Sequence, residues 1–310
     1  MAMRRDPKVV IAGEPRLEQS SRDTRTFAAP AAFGRTGFRL CANRLAVRSR
    51  GNQMRSAEPR PAARVARAFL TPARRPPKSS TISLPRGRRF WPAGPLGKVS
   101  AVEVGTGPAV LLVHGWEGQP EDFAFLFPVL VEAGFRVVAF DLPAHGASDG
   151  VMASIPVCAT SLLRIEEITG APHAVIGHSV GALAVVRAAE MGLAADRLVL
   201  IAAPAHYEYY APTFAAEAGL DSCETEEMIR ILEAMNANVR RISIPEIAPR
   251  LTQPALFLHS KDDRVVPISD GVESARAWRG ARWLEFEGLG HRRILRASVV
   301  HEAILKFLSD

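Results

Sequence analysis

Six short, mostly apolar runs divide the chain from about residue 109 onward. They lie at residues 109–113, 135–140, 174–176, 198–203, 255–258 and 282–286. Runs of this length with little polar alternation are typical of strands that are covered on both faces, as in parallel sheets. The pattern therefore predicts a sheet whose strands lie inside the molecule.

Amphipathic segments with helical periodicity separate these runs. They lie at about residues 121–133, 155–169, 181–191, 269–279 and 298–308. Strands that alternate with helices form parallel βαβ units, with helices on both faces of the sheet. The predicted fold class is α/β, with a mostly parallel, twisted sheet.

The third run leads into Gly177-His178-Ser179-Val180-Gly181, and a helical pattern follows at once. This is a G-x-S-x-G motif between a strand and a helix, the setting in which the serine acts as a nucleophile. The two glycines leave room for a turn too tight for side chains on either flank. Ser179 could instead be a helix N-cap, but its glycine neighbours favour the nucleophile.

Several other loops follow the predicted strands. They contain His114-Gly115-Trp116, the segment Asp141 to Ser148, Asp262-Asp263-Arg264-Val265-Val266-Pro267 and Gly290-His291. Loop histidines on a rigid scaffold are often functional, so His291 is the candidate base. Either Asp262 or Asp263 could orient its ring.

These motifs occur in the order serine, acid, histidine, and together the chain resembles the α/β-hydrolase family over about residues 85–310. Within that family it is similar to bacterial, esterase-like serine hydrolases with a small lid. The resemblance implies a triad of Ser179, Asp263 and His291, because the family's acid stands four positions before the proline of the D-x-x-V-P run. Asp262 would then brace the loop.

The resemblance also implies an oxyanion hole built from the backbone N–H groups of Trp116 and Val180. The side chain of Trp116 could wall the substrate pocket or serve only in packing. His114 and His178 are expected to brace the turns. We read the segment from Asp141 to Ser148 as structural.

The motifs predict neither a metal nor a cofactor. His145 has no acids or cysteines around it at metal-ligand spacing, and neither nucleotide-binding glycine motif occurs in a suitable context. The three scattered cysteines indicate a reducing compartment, so a cytoplasmic location is expected. No apolar run approaches the length of about 20 residues that a membrane span needs, so no stable membrane insertion is expected.

The basic charge of the chain is confined to its first part. Residues 1–90 hold 21 Lys and Arg against 5 Asp and Glu, a net charge of +16, whereas the remaining residues hold 18 against 27, a net charge of −9. The second part is therefore mildly acidic, and no nucleic-acid partner is expected for it.

Residues 1–84 are interpreted as a basic extension, rich in Arg, Ala, Pro and Ser, that precedes a hydrolase domain at 85–310. Its composition predicts disorder, except for a possible short amphipathic helix from Ala62 to Leu70 that docks on the domain. The extension could be a targeting segment, a polyanion-binding tail, or untranslated sequence before a later start such as Met54.

An insertion at about residues 205–253 is expected to form a small helical lid above the nucleophile, with one helix near 224–236. It contains Tyr207, Tyr210 and Phe214. These residues could simply pack the lid onto the core, or they could wall an apolar pocket for an acyl or aryl group.

The leading functional prediction is a carboxylic-ester hydrolase that forms an acyl-enzyme with a small-molecule ester. Acyl transfer, C–C bond hydrolysis and perhydrolysis would use the same triad and stay open. A catalytically silent hydrolase fold that binds a ligand or partner is the alternative from another class. Dehalogenase chemistry is disfavoured because it needs a carboxylate where this chain has Ser179. The sequence does not indicate an oligomeric state.

Overall fold

A single eight-stranded sheet forms the centre of the molecule. The computed structural model describes residues 60–74 and 84–310. The strands are β1 (Arg88–Phe90), β4 (Ala101–Val104), β5 (Ala109–Val113), β6 (Arg136–Phe140), β7 (Ala174–His178), β8 (Arg197–Ile201), β9 (Ala255–Ser260) and β10 (Arg282–Phe286), and a small hairpin is formed by β2 (Ala93–Gly94) and β3 (Gly97–Lys98). The order across the sheet is β1-β4-β6-β5-β7-β8-β9-β10.

Pairing is antiparallel where β4 meets β1 and β6, and parallel from β6 to β10. The mostly parallel sheet predicted from the apolar runs is therefore confirmed. On β5, Leu111 and Val113 belong to one hydrophobic cluster while Val110 and Leu112 belong to the other. Burial of both sets explains why this strand shows no polar alternation.

The helices cover both faces of the sheet and form the insertion between β8 and β9. They are α1 (Pro61–Phe69), α2 (Leu126–Glu132), α3 (Ile155–Thr169), α4 (Val180–Glu190), α5 (Tyr210–Glu217), α6 (Ser222–Ala234), α7 (Ile244–Ile247), α8 (Ile268–Ala277), α9 (Gly290–Arg293) and α10 (Ser298–Ser309). Apolar residues of α3 and α4 enter one cluster, and those of α2 and α10 enter the other. The sheet is thus the middle of three layers.

The strand order brings the candidate residues to one edge of the sheet. β5 lies between β6 and β7, so the chain leaves β5 on one side and returns on its other side. In parallel sheets ligands bind beyond the carboxyl ends of the strands, at such a switch point. Ser179 follows β7, and Asp263 and His291 follow β9 and β10.

The predicted insertion at 205–253 lies between β8 and β9 and holds α5, α6 and α7. The helix expected near 224–236 is α6. A reciprocal cap starts it: Asp221 accepts a hydrogen bond from the backbone of Glu224, whose carboxylate accepts one from the backbone of Asp221. We call residues 205–253 the lid. The boundaries drawn at 84/85 and around the lid stay predictions.

Residues 60–74 include a docked helix, although most of the extension was expected to be disordered. The helix anticipated from Ala62 to Leu70 is α1, and it buries one face made of Ala62, Val65, Ala66 and Phe69. The spacing of these residues places them on a single helical stripe, and burial against the lid offsets the entropy of ordering. The other expectations for the extension concern residues 1–59 and 75–83, which lie outside the described residues.

Within residues 60–74 and 84–310, no helix has both the length and the apolar character needed to cross a bilayer. The same residues contain no group of three or more His, Cys, Asp or Glu side chains placed to hold a metal ion.

Candidate active site

Ser179 occupies a strained turn between β7 and α4. Its backbone has φ 54° and ψ −124°, a region that residues with a side chain rarely adopt. The glycines on either side have no room for a side chain. A Cβ on Gly177 would lie 2.7 Å from the Cα of Ala182, and one on Gly181 would lie 2.4 Å from the carbonyl oxygen of Val113. The turn is therefore held by close backbone contacts, as the motif predicts.

A continuous chain of hydrogen bonds joins the three predicted triad residues. The Ser179 hydroxyl donates to Nε2 of His291 over 3.1 Å, and Nδ1 of His291 donates to Oδ2 of Asp263 over 2.8 Å. The structure thus brings Ser179 and His291 together across 112 positions of the sequence. This tautomer leaves Nε2 of His291 as the acceptor that a general base requires.

Asp263 is held as a buried, ionised carboxylate. Its side chain is fully buried, and its Oδ1 accepts hydrogen bonds from the backbone N–H groups of Val265 (2.8 Å) and Val266 (3.0 Å). Burial opposes ionisation, but the contacts from His259 and His291 outweigh it, and the pKa of Asp263 lies well below its usual range. A fixed negative charge therefore faces the ring of His291.

His259 contacts Asp263, and the motifs do not predict this contact. Its Nε2 donates to the carbonyl oxygen of Val266 (3.0 Å) and lies 3.5 Å from Oδ2 of Asp263. The sequence does carry a signal, a histidine four residues before the acid in His259-Ser260-Lys261-Asp262-Asp263. Histidine at the end of a buried strand is also a common packing residue, so spacing alone does not identify it.

Asp262 lies beside the triad without joining it. Its Oδ1 accepts hydrogen bonds from the Ser260 hydroxyl and from the backbone N–H of Gly290 (3.1 Å). The Ser260 hydroxyl oxygen also accepts from Gly290 (3.0 Å). These bonds fix the loop one residue before His291, the bracing position expected for Asp262.

His178 anchors the loop of His291 from the other side. Its Nε2 donates to the backbone carbonyl of His291 over 2.8 Å, and the two rings lie 4.8 Å apart. Burial and the nearby His291 lower the pKa of His178 to about 3. The ring is therefore neutral at physiological pH and positions the loop.

The loop that follows β5 lies directly against the nucleophile. We call His114 to Gly118 the β5 loop. A Cβ on Gly115 would lie 3.1 Å from the Cβ of Ser179. Gly118 N–H donates to the carbonyl of Gly115 over 2.9 Å, which closes a turn with Trp116 and Glu117 at its centre. The backbone N–H groups of Trp116 and Val180 are thus carried by the two segments that meet at Ser179.

Two buried histidines support the β5 loop. His114 donates from Nδ1 to Gly115 O (2.7 Å) and accepts at Nε2 from the Leu142 N–H (3.0 Å). His145 accepts at Nε2 from the Glu117 N–H (3.1 Å) and donates from Nδ1 to Pro143 O (2.9 Å). Burial lowers the pKa of His145 to about 3. Each ring thus joins the β5 loop to the loop after β6.

The predicted pocket residues lie in different surroundings. Tyr207 is buried, with its ring 5.6 Å from that of Phe69, and the Phe214 ring lies 5.3 Å from Phe69. Burial, and then the nearby carboxylates of Asp270 and Asp263, raise the pKa of Tyr210 well above its usual value. Trp116 is half-buried with its ring 5.2 Å from that of His145.

Residues 108–218 match the family model described as alpha/beta hydrolase fold. A segment of 83 residues, 25% of this chain, is 40% identical to bifunctional epoxide hydrolase 2 of Rattus norvegicus. That segment spans only 15% of the relative's own length.

The fold is shared with solved structures at low sequence identity. An esterase from Exiguobacterium antarcticum aligns with a TM-score of 0.58 and 16% identity, over 71% of this chain and 99% of that one. A bromoperoxidase from Bacillus anthracis aligns with a TM-score of 0.58 and 18% identity, over 72% and 100%. With the sheet order and the family match, this confirms the predicted resemblance: the chain has the α/β-hydrolase fold.

Proposed function

We propose that the protein is a serine hydrolase that cleaves carboxylic esters of small to medium size through an acyl-enzyme. The observation that carries the proposal is the unbroken hydrogen-bond chain from Ser179 through His291 to Asp263. A serine hydroxyl is a poor nucleophile by itself and needs a base that removes its proton as it attacks. His291 has the position and tautomer for that task.

In the first half of the proposed reaction, the Ser179 Oγ attacks the ester carbonyl while Nε2 of His291 takes the hydroxyl proton. The carbonyl oxygen becomes an oxyanion, which the N–H groups of Trp116 and Val180 would stabilise. Collapse of this intermediate breaks the bond to the alkoxy group, which leaves with the proton from His291. Asp263 stabilises the charged ring between the two proton transfers.

In the second half, water attacks the acyl carbonyl as His291 takes its proton. The acid is released when the bond to Ser179 breaks and the proton returns to Oγ. The ring thus acts first as a base and then as an acid in each half.

The substrate class rests on the lid. Tyr207, Tyr210 and Phe214 of the lid, together with Trp116 of the β5 loop, would supply aromatic side chains, and such a wall suits an apolar acyl or aryl group. The esterase with the same fold is in line with this class, although at 16% identity it supports the fold alone.

Labelling with a fluorophosphonate probe tests the proposal, followed by turnover of esters of graded acyl length. Wild-type protein should label and turn over esters, and Ser179→Ala should do neither. Ser222→Ala, at the exposed start of α6, is the matched control and should behave as wild type. Absence of labelling in well-folded wild-type protein would instead favour a silent binding protein. Added alcohol or hydrogen peroxide that competes with water for the acyl group would redirect the assignment to a transferase or a perhydrolase.

A further inference from the structure

Residues 60–74 connect the lid to the β5 loop. We call them the N-terminal strap. At the first end, Arg60 forms an ion pair of 3.0 Å with Glu227 of α6. Helix α1 then buries its apolar stripe, and Phe69 inserts its ring against Tyr207 and Phe214. The strap is thus part of the lid's own packing, although it lies far away in the sequence.

The other end of the strap reaches the β5 loop and the segment that follows β6. The backbone carbonyl of Leu70 accepts a hydrogen bond from the Ala153 N–H (2.7 Å). The Arg74 guanidinium donates to the carbonyls of Gly146 (2.7 Å) and Gly150 (2.6 Å). Between these anchors, the N–H of Ala73 donates to the Glu117 carboxylate over 3.0 Å. This last bond is the direct link to the β5 loop.

Glu117 has a backbone conformation that needs external support. Its φ is 53°, at the third position of the turn that Gly115 and Gly118 close, where glycine or asparagine is usual. A left-handed conformation is unfavourable for a residue with a Cβ and has a cost in free energy. Two bonds oppose that cost: the Glu117 N–H donates to His145, and the Glu117 side chain accepts from Ala73.

We propose that Glu117 is a positioning residue, held by the N-terminal strap, that fixes the β5 loop so that the Trp116 N–H faces the developing oxyanion. The inference rests on the proposed ester hydrolysis, because it assigns a role within that reaction. Glu117 acts through Trp116, its immediate neighbour, and does not touch the reacting atoms. The strap would then be a working part of the site more than a hundred residues before Ser179.

Three substitutions at Glu117 in the full-length chain separate the possible roles. Glu117→Gln keeps an oxygen that can accept from Ala73 but removes the charge. Glu117→Ala removes the acceptor and keeps the left-handed strain. Glu117→Gly removes the acceptor and relieves the strain. We expect Glu117→Gln to resemble wild type, whereas Glu117→Ala and Glu117→Gly should lower kcat about tenfold with little change in KM. The reason is that a displaced oxyanion donor affects the transition state more than it affects substrate binding.

The reciprocal variant removes the donor in place of the acceptor. Ala73→Pro has no N–H at position 73 and should match Glu117→Ala. The double variant should be no slower than either single one, because both remove the same bond. The shape of the pH–rate profile should stay as in wild type, since Glu117 does not contact the triad. A variant that lost activity by unfolding would show a large fall in Tm, which Glu117→Gln should not share.

Each contrary outcome has a distinct meaning. Equal rates for wild type and Glu117→Ala would overturn the inference. Equal slowing by Glu117→Gln and Glu117→Ala would also overturn it, because the lower rate would then result from the lost charge. Wild-type rates in Glu117→Gly would overturn it as well, because the lower rate of Glu117→Ala would then result from backbone strain. If wild-type protein shows no fluorophosphonate labelling, the proposed function fails, and hydrogen exchange tests the strap alone. Faster hydrogen exchange at the Trp116 amide in Glu117→Ala than in Glu117→Gln supports the positioning role. Equal exchange in the two variants overturns it.

Discussion

His259 lies 3.5 Å from the same carboxylate oxygen of Asp263 that binds His291. One oxygen of the acid thus faces two imidazole rings, while the other accepts two backbone N–H groups. Both oxygens of the buried Asp263 carboxylate thus face hydrogen-bond donors. Such donors replace water and keep a buried carboxylate ionised.

Replacing His259 with leucine should affect stability more than activity. The change leaves the Val266 carbonyl without its donor and removes one contact to Asp263, and an unsatisfied buried acceptor costs about 1–3 kcal/mol. His291 and the backbone donors still hold the acid, so we expect kcat to fall less than tenfold. Urea unfolding and ester turnover measure the two effects. A loss of activity as large as that of Ser179→Ala would place His259 within the triad's own chemistry.

The adjacent acids should differ sharply when each becomes asparagine. Asp263→Asn removes the charge that stabilises the protonated ring and no longer favours the required tautomer, so turnover should fall by about 10³–10⁴. Asp262→Asn retains an oxygen that can accept from Gly290, and we expect less than a fivefold effect. Steady-state kinetics on one ester checks both variants. The reverse ranking would move the acid to Asp262.

Acid should unfold the protein through its buried histidines. The pKa values of His145 and His178 fall to about 3 in the folded state, against about 6.5 when unfolded. Their stabilising contribution is therefore complete above about pH 6.5 and is lost as the pH falls toward 3. Burial raises the pKa of Asp141 to about 6. Between about pH 4 and 6 the folded state therefore binds this proton more tightly than the unfolded state, so the contribution of Asp141 to stability rises as the pH falls.

These three groups leave the unfolded state with one net extra proton in that interval. The combined contribution of these three groups to the free energy of unfolding should thus fall by about 1.4 kcal/mol for each pH unit lost between 6 and 4. Burial also lowers the pKa of His301, which adds to this fall, and raises the pKa of Asp270, which opposes it. Urea titrations at several pH values measure this slope. His145→Gln removes one histidine contribution and should lower the slope by about the same amount. An unchanged slope in that variant would show that His145 does not take up the proton.

The lid aromatics should determine the preferred acyl length if they wall the pocket. Tyr207→Ala or Tyr210→Ala should shift that preference, with losses in kcat/KM of about 1–3 kcal/mol for substrates that fill the site. Kinetics over a series of acyl lengths provides the measurement. Equal losses at every length, together with a lower Tm, would assign the tyrosines to lid packing.

Truncation should separate two parts of the N-terminal region. Residues 1–53 offer few large apolar side chains to bury, so their removal should leave Tm and turnover nearly unchanged. Removal of residues 1–74 also deletes the stripe of α1 and the Ala73 donor, and both quantities should fall. Thermal unfolding and turnover of the two truncated proteins check this. A large loss on removing residues 1–53 alone would contradict the first expectation.

Periodicity predicted most of the central sheet because strands such as β5, β7 and β9 are buried on both faces and appear as apolar runs. Ala109–Val113 and Arg282–Phe286 have the predicted bounds, and the helix over 155–169 is α3. The two antiparallel strands β1 and β4 and the hairpin were not predicted. They are short, and the exposed or half-buried residues of β1 and the hairpin give no apolar run that periodicity could detect.

The sequence predicted only those residues of the candidate site that belong to a motif. Ser179, Asp263 and His291 meet as the motif order implies. The four-residue spacing of His259 and Asp263 does not by itself distinguish a contact to the acid from packing at the end of β9. The bond from Ala73 to Glu117 was not predictable, because it joins segments that are distant in the sequence and share no motif. The packing of Phe69 against the lid is of the same kind: the stripe of α1 shows that a partner exists but not which one.

The strap also has a consequence for the order in which the chain folds. Arg60 and Glu227 are separated by 167 positions, so α1 leaves the ribosome long before the lid helices that cover it. Until α5 and α6 have been synthesised, Val65 and Phe69 have no lid surface on which to pack. Contacts of such sequence separation form late and slow the folding of a domain. Of the helices in residues 60–74 and 84–310, the first to be made is thus expected to be among the last to dock.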